Sequence, residues 1–479
     1  MDKVDVLIVG GGITGLASAW WLARGGLSVA VWEAGDRPGG KILSSRHEGY
    51  LTERAASMLV NFRPEVSELM REAGLESAKT LRRAEAEANR FLLYGNCLKA
   101  LPMRMGAMLT SPLWSLGGKL RLLAEPFVFT RGNPGESVSA FITRRLGREV
   151  LDKAVEPFIA GTLAADPGLT CAASALPRLA ALERKYGSLA AGVLVNRLLR
   201  RRTACSTEVF SFQEGMGTLV DRLAAAPGIA FRAGHAVSEL VAQGDAWRVT
   251  ARAAQGERTV VARQVIVATP APAAAALLAK VDTELSSLLH GIEYASVALV
   301  HLGLAREAVA HALNGTGFLA PKAESAVLTG NLWASTLFPN RAPAGKVLLT
   351  SYLGGARAPH VSDWGDGQLV DEALRTLKPL IGLKASPEMV RVDRQREALP
   401  LYHGAYQKRM QSIADRLKRI PGLHLEASYR EGVSVRDRLV RGHVVAKQIL
   451  ASRRWPLRAS EQPAVGSAGP GDANRPALI

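Results

Sequence analysis

Val4-Asp-Val-Leu-Ile-Val9 is apolar at all but one position, and so short an apolar run predicts a buried parallel strand over 4–9. Residues 14–25, from Thr14 through Ala-Ser-Ala-Trp-Trp-Leu-Ala, predict a helix, and Ser28-Val-Ala-Val-Trp-Glu33 predicts a second strand. Together they form a βαβ unit of about thirty residues, the opening of a doubly wound sheet. Helical periodicity with much charge marks 64–75, 135–160 and 172–202, so the stretch from about 90 to 205 reads as mostly helical. Strand character returns at 229–250 and 260–268. A β-rich stretch follows over 294–353 and ends at Gly354-Gly355, and a last helix is expected over 433–451. Residues 459–479, rich in Ser, Ala, Gly and Pro, read as a disordered tail. No window reaches the ~18 apolar residues of a spanning helix. The best one, 105–129, is interrupted by Lys119, Arg121 and Glu125.

Between the first strand and its helix, Gly10, Gly12 and Gly15 form G-x-G-x-x-G, and Glu33 closes the second strand. Gly10 permits the tight turn, Gly12 admits a pyrophosphate close to the backbone, and Gly15 lets helix and strand pack closely. Glu33 is placed to accept hydrogen bonds from ribose hydroxyls, which argues against a 2′-phosphate.

With 48% apolar and 22% charged residues, the 479-residue chain is not disordered, and at ~100–200 residues per domain it holds two to four domains. Three scattered cysteines, Cys97, Cys171 and Cys205, suit neither a disulfide framework nor a metal site, and a reducing cytoplasmic compartment fits them. Met1-Asp2-Lys3 leads straight into the first strand without a signal-peptide pattern. The net charge of +17 favours an anionic partner. No helix-turn-helix, RRM or zinc pattern accompanies the basic residues, so nucleic acid is not expected. His301, His360, His403 and His443 lack metal-ligand spacing, and no metal is expected.

After the acid, Glu33-Ala-Gly-Asp-Arg37-Pro-Gly39-Gly40-Lys41 adds a second glycine pair and a cation, a further cradle that suits the longer, bent path of FAD. This run resembles the flavin amine oxidase and protoporphyrinogen oxidase superfamily, where Arg is usual at the last position. Lys41 keeps the charge and loses the fork of donors. Several further stretches are similar to the protoporphyrinogen oxidase family in particular: Glu136-Ser-Val-Ser-Ala-Phe-Ile-Thr-Arg-Arg-Leu-Gly147, Val155-Glu-Pro-Phe-Ile-Ala-Gly161, Leu182-Glu-Arg-Lys-Tyr-Gly-Ser188, Phe212-Gln-Glu-Gly-Met-Gly217, Phe338-Pro-Asn-Arg341 and Tyr429-Arg-Glu-Gly-Val433. The resemblance covers residues 4 to about 451.

It implies an α/β fold: a discontinuous Rossmann-like FAD-binding domain (1–70, 206–275, 405–455), a β-rich substrate-binding domain (71–90, 276–404) and a mostly helical membrane-associating region (91–205). It implies flavin contacts at Gly10, Gly12, Gly15, Glu33, Gly39, Gly40, Lys41, Val237, Gly432 and Val433. Arg90, just before a hairpin-like run that ends at Pro102, matches the family's propionate-binding arginine, and Leu332, Trp333 and Phe338 are candidates for the apolar slot of a tetrapyrrole. No catalytic base is assigned. Met103, Met105, Met108, Leu109, Leu113, Trp114 and Leu116, interleaved with Arg104, Lys119 and Arg121, together with Arg197 and Arg200–Arg202, suit an interface with anionic headgroups.

One stretch departs from the family. Where Gly-Asn or Gly-Asp is usual, the chain reads Leu425-Glu426-Ala427-Ser428-Tyr429. Either Glu426 faces solvent, with Arg430 or Lys41 compensating its charge, or it crowds the pyrophosphate and weakens FAD binding. The implied activity is FAD-dependent oxidation of protoporphyrinogen IX to protoporphyrin IX by molecular oxygen in haem synthesis, at the cytoplasmic face of the cell membrane. Coproporphyrinogen III as substrate and a non-catalytic, membrane-associated porphyrin-binding protein remain alternatives, and a homodimer is left open.

Overall fold

The computed structural model describes residues 2–101, 111–133, 135–199 and 207–452. Asp2–Val9 runs through the middle of a seven-stranded sheet, parallel to Val29–Trp32 on one side and Gly256–Val267 on the other. Val6, Leu7 and Ile8 are fully buried, which is why the strand is apolar on both faces. Its one polar residue is used, since Asp5 accepts hydrogen bonds from the backbone and hydroxyl of Ser28 and fixes the entry to the second strand. Ile229–Arg232 and Leu423–Leu425 add further parallel strands, while Ala246–Ala253 and Ala236–Gln243 continue the sheet antiparallel. The strand stretch expected over 229–250 is thus three strands, turning at Gly234 and Gly244, both at positive φ. The helix Ile13–Arg24 packs against Val435–Ala451, and a Cβ at Gly442 would stand 2.7 Å from the Ala17 Cβ, so only glycine permits this approach.

A second seven-stranded sheet runs in the order Met389–Pro400, Tyr294–Ala305, Lys346–Gly354, Leu328–Trp333, Gly317–Leu319, Phe91–Tyr94, Cys97–Ala100. The helix Asp366–Ile381 buries Leu369, Ala373, Leu377 and Ile381, one side at helical spacing, in this sheet's core. The hairpin Phe91–Ala100 therefore belongs to the second sheet and not to the helical region expected from residue 91. The hairpin-like run is as expected, and its place in the sheet is set by pairing of Phe91–Tyr94 with the distant strand Gly317–Leu319.

The helical region consists of Leu116–Leu123, Val138–Leu146, Glu156–Leu163, Pro177–Tyr186, Leu189–Leu199 and shorter turns. It is built around one buried cation. Arg145 is 0% exposed and donates to Glu183 (2.6 Å), to the Val128 carbonyl (2.8 Å) and to the Gly187 carbonyl, and it is paired with Glu125. Glu125, itself buried, accepts from Ser188 Oγ and the Leu189 and Ala190 amides, so the pair ties three segments together. Among the described residues, no helix is long and apolar enough to cross a membrane. Of the residues expected at an interface, Leu113 and Trp114 are instead core, packed with Phe141 and Ile142, while Leu116 is 79% exposed. Met103, Arg104, Met105, Met108, Leu109 and Arg200–Arg202, and the tail 459–479, lie outside the described residues.

Replacing Arg145 with Met leaves buried Glu125 without its cation, while Glu183 keeps Arg144, a loss worth ~3–5 kcal/mol. Denaturant unfolding of Arg145→Met is expected to show that drop, and a change under ~1 kcal/mol would mean the helical region is held by its apolar core alone.

Candidate functional site

The carboxyl ends of Asp2–Val9, Val29–Trp32 and Gly256–Val267 meet the N-terminus of the helix Ile13–Arg24, and a cavity of about 1140 Å³ opens there. Such a crevice is where an open α/β sheet holds its ligand, and the volume exceeds the ~300–1,000 Å³ typical of a single small-molecule site. Backbone geometry shapes the floor. Gly10 sits at φ +104°, and a Cβ at Gly15 would stand 2.3 Å from the Gly10 carbonyl oxygen. A Cβ at Gly12 meets nothing within 4 Å, because it would project into the open cradle. The second glycine pair lies directly alongside, the Gly39 amide donating to the Gly11 carbonyl at 2.8 Å. Arg37 spends its charge on the carbonyls of Pro38, Gly40 and Ile42 and so holds this loop in shape.

Glu33 accepts from the Gly11 amide (2.6 Å) and the Gly35 amide (2.8 Å), one bond to each oxygen, leaving lone pairs for ribose hydroxyls. Gly10, Gly12, Glu33, Gly39, Gly40, Lys41, Val237, Gly432 and Val433 all line the cavity, and Gly15 lies behind it as the packing contact. Lys41 reaches across to the second sheet, donating to the carbonyls of Ala398 (3.0 Å) and Glu397 above the Tyr294 ring. Burial pushes its pKa down to about 8, with Glu397 opposing. Thr269 Oγ1 and Gln395 Nε2, buried in the same wall, have no hydrogen-bond partner, as expected of groups that await a polar ligand. Cradle, acid and orphaned donors fit a dinucleotide.

Glu426 resolves differently from both expectations. It is 3% exposed, so it does not face solvent, and neither Arg430 nor Lys41 is its partner. Arg441, one helical face away on Val435–Ala451, forms a two-bond pair with it and also holds Glu431 at 2.9 Å. Ala427 and Ser428 line the cavity, whereas Glu426 does not. The acid is neutralised inside the protein, and the premise for a flavin-less carrier falls with it. Arg441 lies fifteen residues downstream at no motif position, so no local pattern announces it.

The substrate-side residues separate. Arg90 is exposed and does not line the cavity. Trp333 is fully buried in the core of the second sheet against Phe91 and His311, and Leu332 and Phe338 border a different void of about 10 Å³. The cavity instead continues between the second sheet, at Val297, Leu299 and Tyr352–Gly355, and the helical region, at Phe158, Ala160–Ala164 and Leu176–Leu179. Arg54, Arg178, Gln395 and Tyr402 join its wall, none of them marked by a motif. Among the described residues, no group of His, Cys, Asp and Glu is arranged to hold a metal ion.

The fold and the cradle define an FAD-binding oxidoreductase. Residues 13–433 match the flavin containing amine oxidoreductase family, and the chain belongs to it. It is 28% identical to coproporphyrinogen III oxidase of Bacillus subtilis (strain 168), over 94% of this chain and 98% of that protein. It is 30% identical to the chloroplastic protoporphyrinogen oxidase of Oryza sativa subsp. japonica, over 90% and 85%. Its fold is similar to that of a crystallised protein from Exiguobacterium sp. 255-15 (TM-score 0.78, 22% identity, covering 95% and 100%) and to reduced UDP-galactopyranose mutase (TM-score 0.70, 15% identity, covering 95% and 97%). FAD is therefore the cofactor that the cradle holds.

A branched side chain at residue 12 would fill the space left for the pyrophosphate. Protein purified as Gly12→Val is expected to carry less than about a tenth of the wild-type flavin while keeping its far-ultraviolet circular dichroism. Normal flavin absorbance in that variant would contradict the placement of the dinucleotide.

Proposed function

We propose that the chain oxidises a porphyrinogen in haem synthesis, protoporphyrinogen IX to protoporphyrin IX, with molecular oxygen as the final acceptor. The observation that carries this reading is the continuity of the dinucleotide cradle with a broad apolar slot. That slot is walled by Val297, Leu299, Leu353 and two adjacent glycines on one side and by Phe158, Leu163 and Leu176 on the other. The carboxylates lining the cavity are Glu33 and Asp437, both engaged with protein donors. A wall whose carboxylates are already engaged suits a substrate whose oxidation is driven by gain of conjugation, where positioning and exclusion of water carry the rate. Bound FAD supplies the two-electron acceptor for hydride from a meso carbon. Pyrrole N–H protons leave to solvent, and three such rounds remove six hydrogens and yield three molecules of hydrogen peroxide from three of oxygen.

A second reading, coproporphyrinogen III as substrate, is favoured by the cations Arg54 and Arg178 in the same wall, since four propionates offer them more partners than two. The names of the relatives divide between the two substrates. Anaerobic mixing of the flavin-replete protein with either porphyrinogen is expected to bleach the flavin bands, and oxygen to restore them as porphyrin fluorescence rises. Persistence of the oxidised flavin spectrum with both substrates would end this reading.

The reading extends to an anionic membrane surface at the inner face of the cell membrane. Leu116, Leu120 and Leu123 project from one helix, Phe127 and Phe129 follow, and Val193, Leu194 and Leu198 stand beside exposed Arg197. Phe129 is 86% exposed, and so much apolar surface on one region beside a cation suits an interface. Flotation with anionic vesicles is expected to recover the protein at low salt. Leu120→Glu with Phe129→Glu should weaken binding by at least about tenfold, from the ~1.5–3 kcal/mol of each buried side chain. Equal recovery of wild type and double variant would remove the claim.

A further inference from the structure

Most cations in the cavity wall are already committed. Arg438 holds the carbonyls of Ala427, Arg430 and Glu431, Arg436 holds Asp437 and the Val60 carbonyl, and Lys41 holds two carbonyls of the second sheet. Arg178 is different. Its guanidinium makes no hydrogen bond or ion pair with any described residue, and its one partner is the Phe62 ring, 4.2 Å from the guanidinium carbon to the ring centroid. Arg436 stands at the same distance from that ring. An aromatic face fixes a guanidinium in place without consuming its in-plane N–H donors, so Arg178 keeps its whole fork available. Leu176, Leu179 and Phe158 line the same wall, and Arg178 itself is exposed at it, so its fork is open to an incoming anion. Arg54, in the wall of the same cavity, also has a side chain without a hydrogen bond or ion pair among the described residues. The two acids of the wall are engaged elsewhere, so the positive charge has no internal counterion.

We propose that Arg178, held on Phe62, is the specificity-determining carboxylate anchor of this cavity. It pairs with a propionate of the tetrapyrrole while the ring system lies in the apolar slot, and Arg54 serves as a second anchor in the same wall. The proposal rests on the porphyrinogen reading and deepens it by assigning the acid-binding role to residues of the cavity wall, in place of Arg90, which does not line the cavity. A planar fork matches a carboxylate with two parallel bonds, and each added propionate on the substrate raises the gain from a fixed guanidinium.

The test uses flavin-replete protein and equilibrium fluorescence titration with coproporphyrin III, protoporphyrin IX and the methyl esters of both. Arg178→Ala is expected to bind the free acids about tenfold more weakly and the esters equally well, with flavin content unchanged. Arg178→Lys should recover part of the loss. With coproporphyrinogen III the KM of Arg178→Ala should rise by a similar factor, and by more than with protoporphyrinogen IX. Unchanged acid affinity, an equal loss on the esters, or loss of flavin in Arg178→Ala would overturn the proposal. Wild-type protein that oxidises neither porphyrinogen would remove the porphyrinogen reading and this one with it. Wild-type turnover with an unaltered Arg178→Ala would remove this one alone.

Discussion

Close approach of backbone to backbone at the first βαβ turn is the constraint on which the molecule depends. Because Gly15 has no Cβ, the helix Ile13–Arg24 descends onto the Gly10 carbonyl, and its free N–H groups end up facing the crevice at the strand ends. Gly442 repeats the device one layer out, letting Val435–Ala451 lie against Ala17 and Ser18. That second approach delivers Gly432 and Val433, some four hundred residues away in sequence, to the same cavity as Gly10 and Gly12. The parts of a discontinuous dinucleotide site are thus assembled by two missing side chains, and the pyrophosphate gap at Gly12 is what remains when the rest is closely packed.

Arginine neutralises the buried acids of the helical region and of the departing stretch, whereas buried Glu53 is held by the Ser44 hydroxyl and the Met216 amide and is pushed up to about 7 by burial. Glu125 and Glu183 meet Arg145, and Glu426 meets Arg441 in a two-bond fork. A desolvated carboxylate is tolerable only when its lone pairs are filled, and the fork fills them with fixed geometry. This explains how the chain departs from its family's pattern at Glu426-Ala427 without disturbing the cavity. The acid is turned toward the helix behind it, and the neutral Ala427 and Ser428 present the wall.

How far the sequence was legible follows from the range of the interactions. The βαβ unit, its glycines and Glu33 sit within one local motif, and their spacing carries the whole geometry. The local hairpin of Phe91–Ala100 was legible, whereas its place in the second sheet was not, because Phe91–Tyr94 joins that sheet through Gly317–Leu319, more than two hundred residues away. Lining of the substrate side was legible only in part. Leu332, Trp333 and Phe338 are apolar residues in a β-rich stretch, and alternation alone does not say which face of a sheet looks into a cavity and which into the core. Gln395 and Tyr402, Arg54, and Arg178 enter the wall from three separate segments, a juxtaposition that only the tertiary fold creates.

Net charge is the property most visible in the sequence and least informative by itself, and the structure separates its components. With a surplus of 17 positive charges, an arginine at any one position says little. Partnership is the better criterion. Arg37, Arg145, Arg438 and Arg441 are engaged by carbonyls or carboxylates and belong to the scaffold, since removing any of them would leave acceptors without donors. An arginine that lines a largely apolar cavity and is held by an aromatic ring, with its donors unspent, has no such structural account. Its donors stay with solvent until an anion arrives, so the fork that the scaffold leaves unclaimed at Arg178 is available for recognition of the ligand.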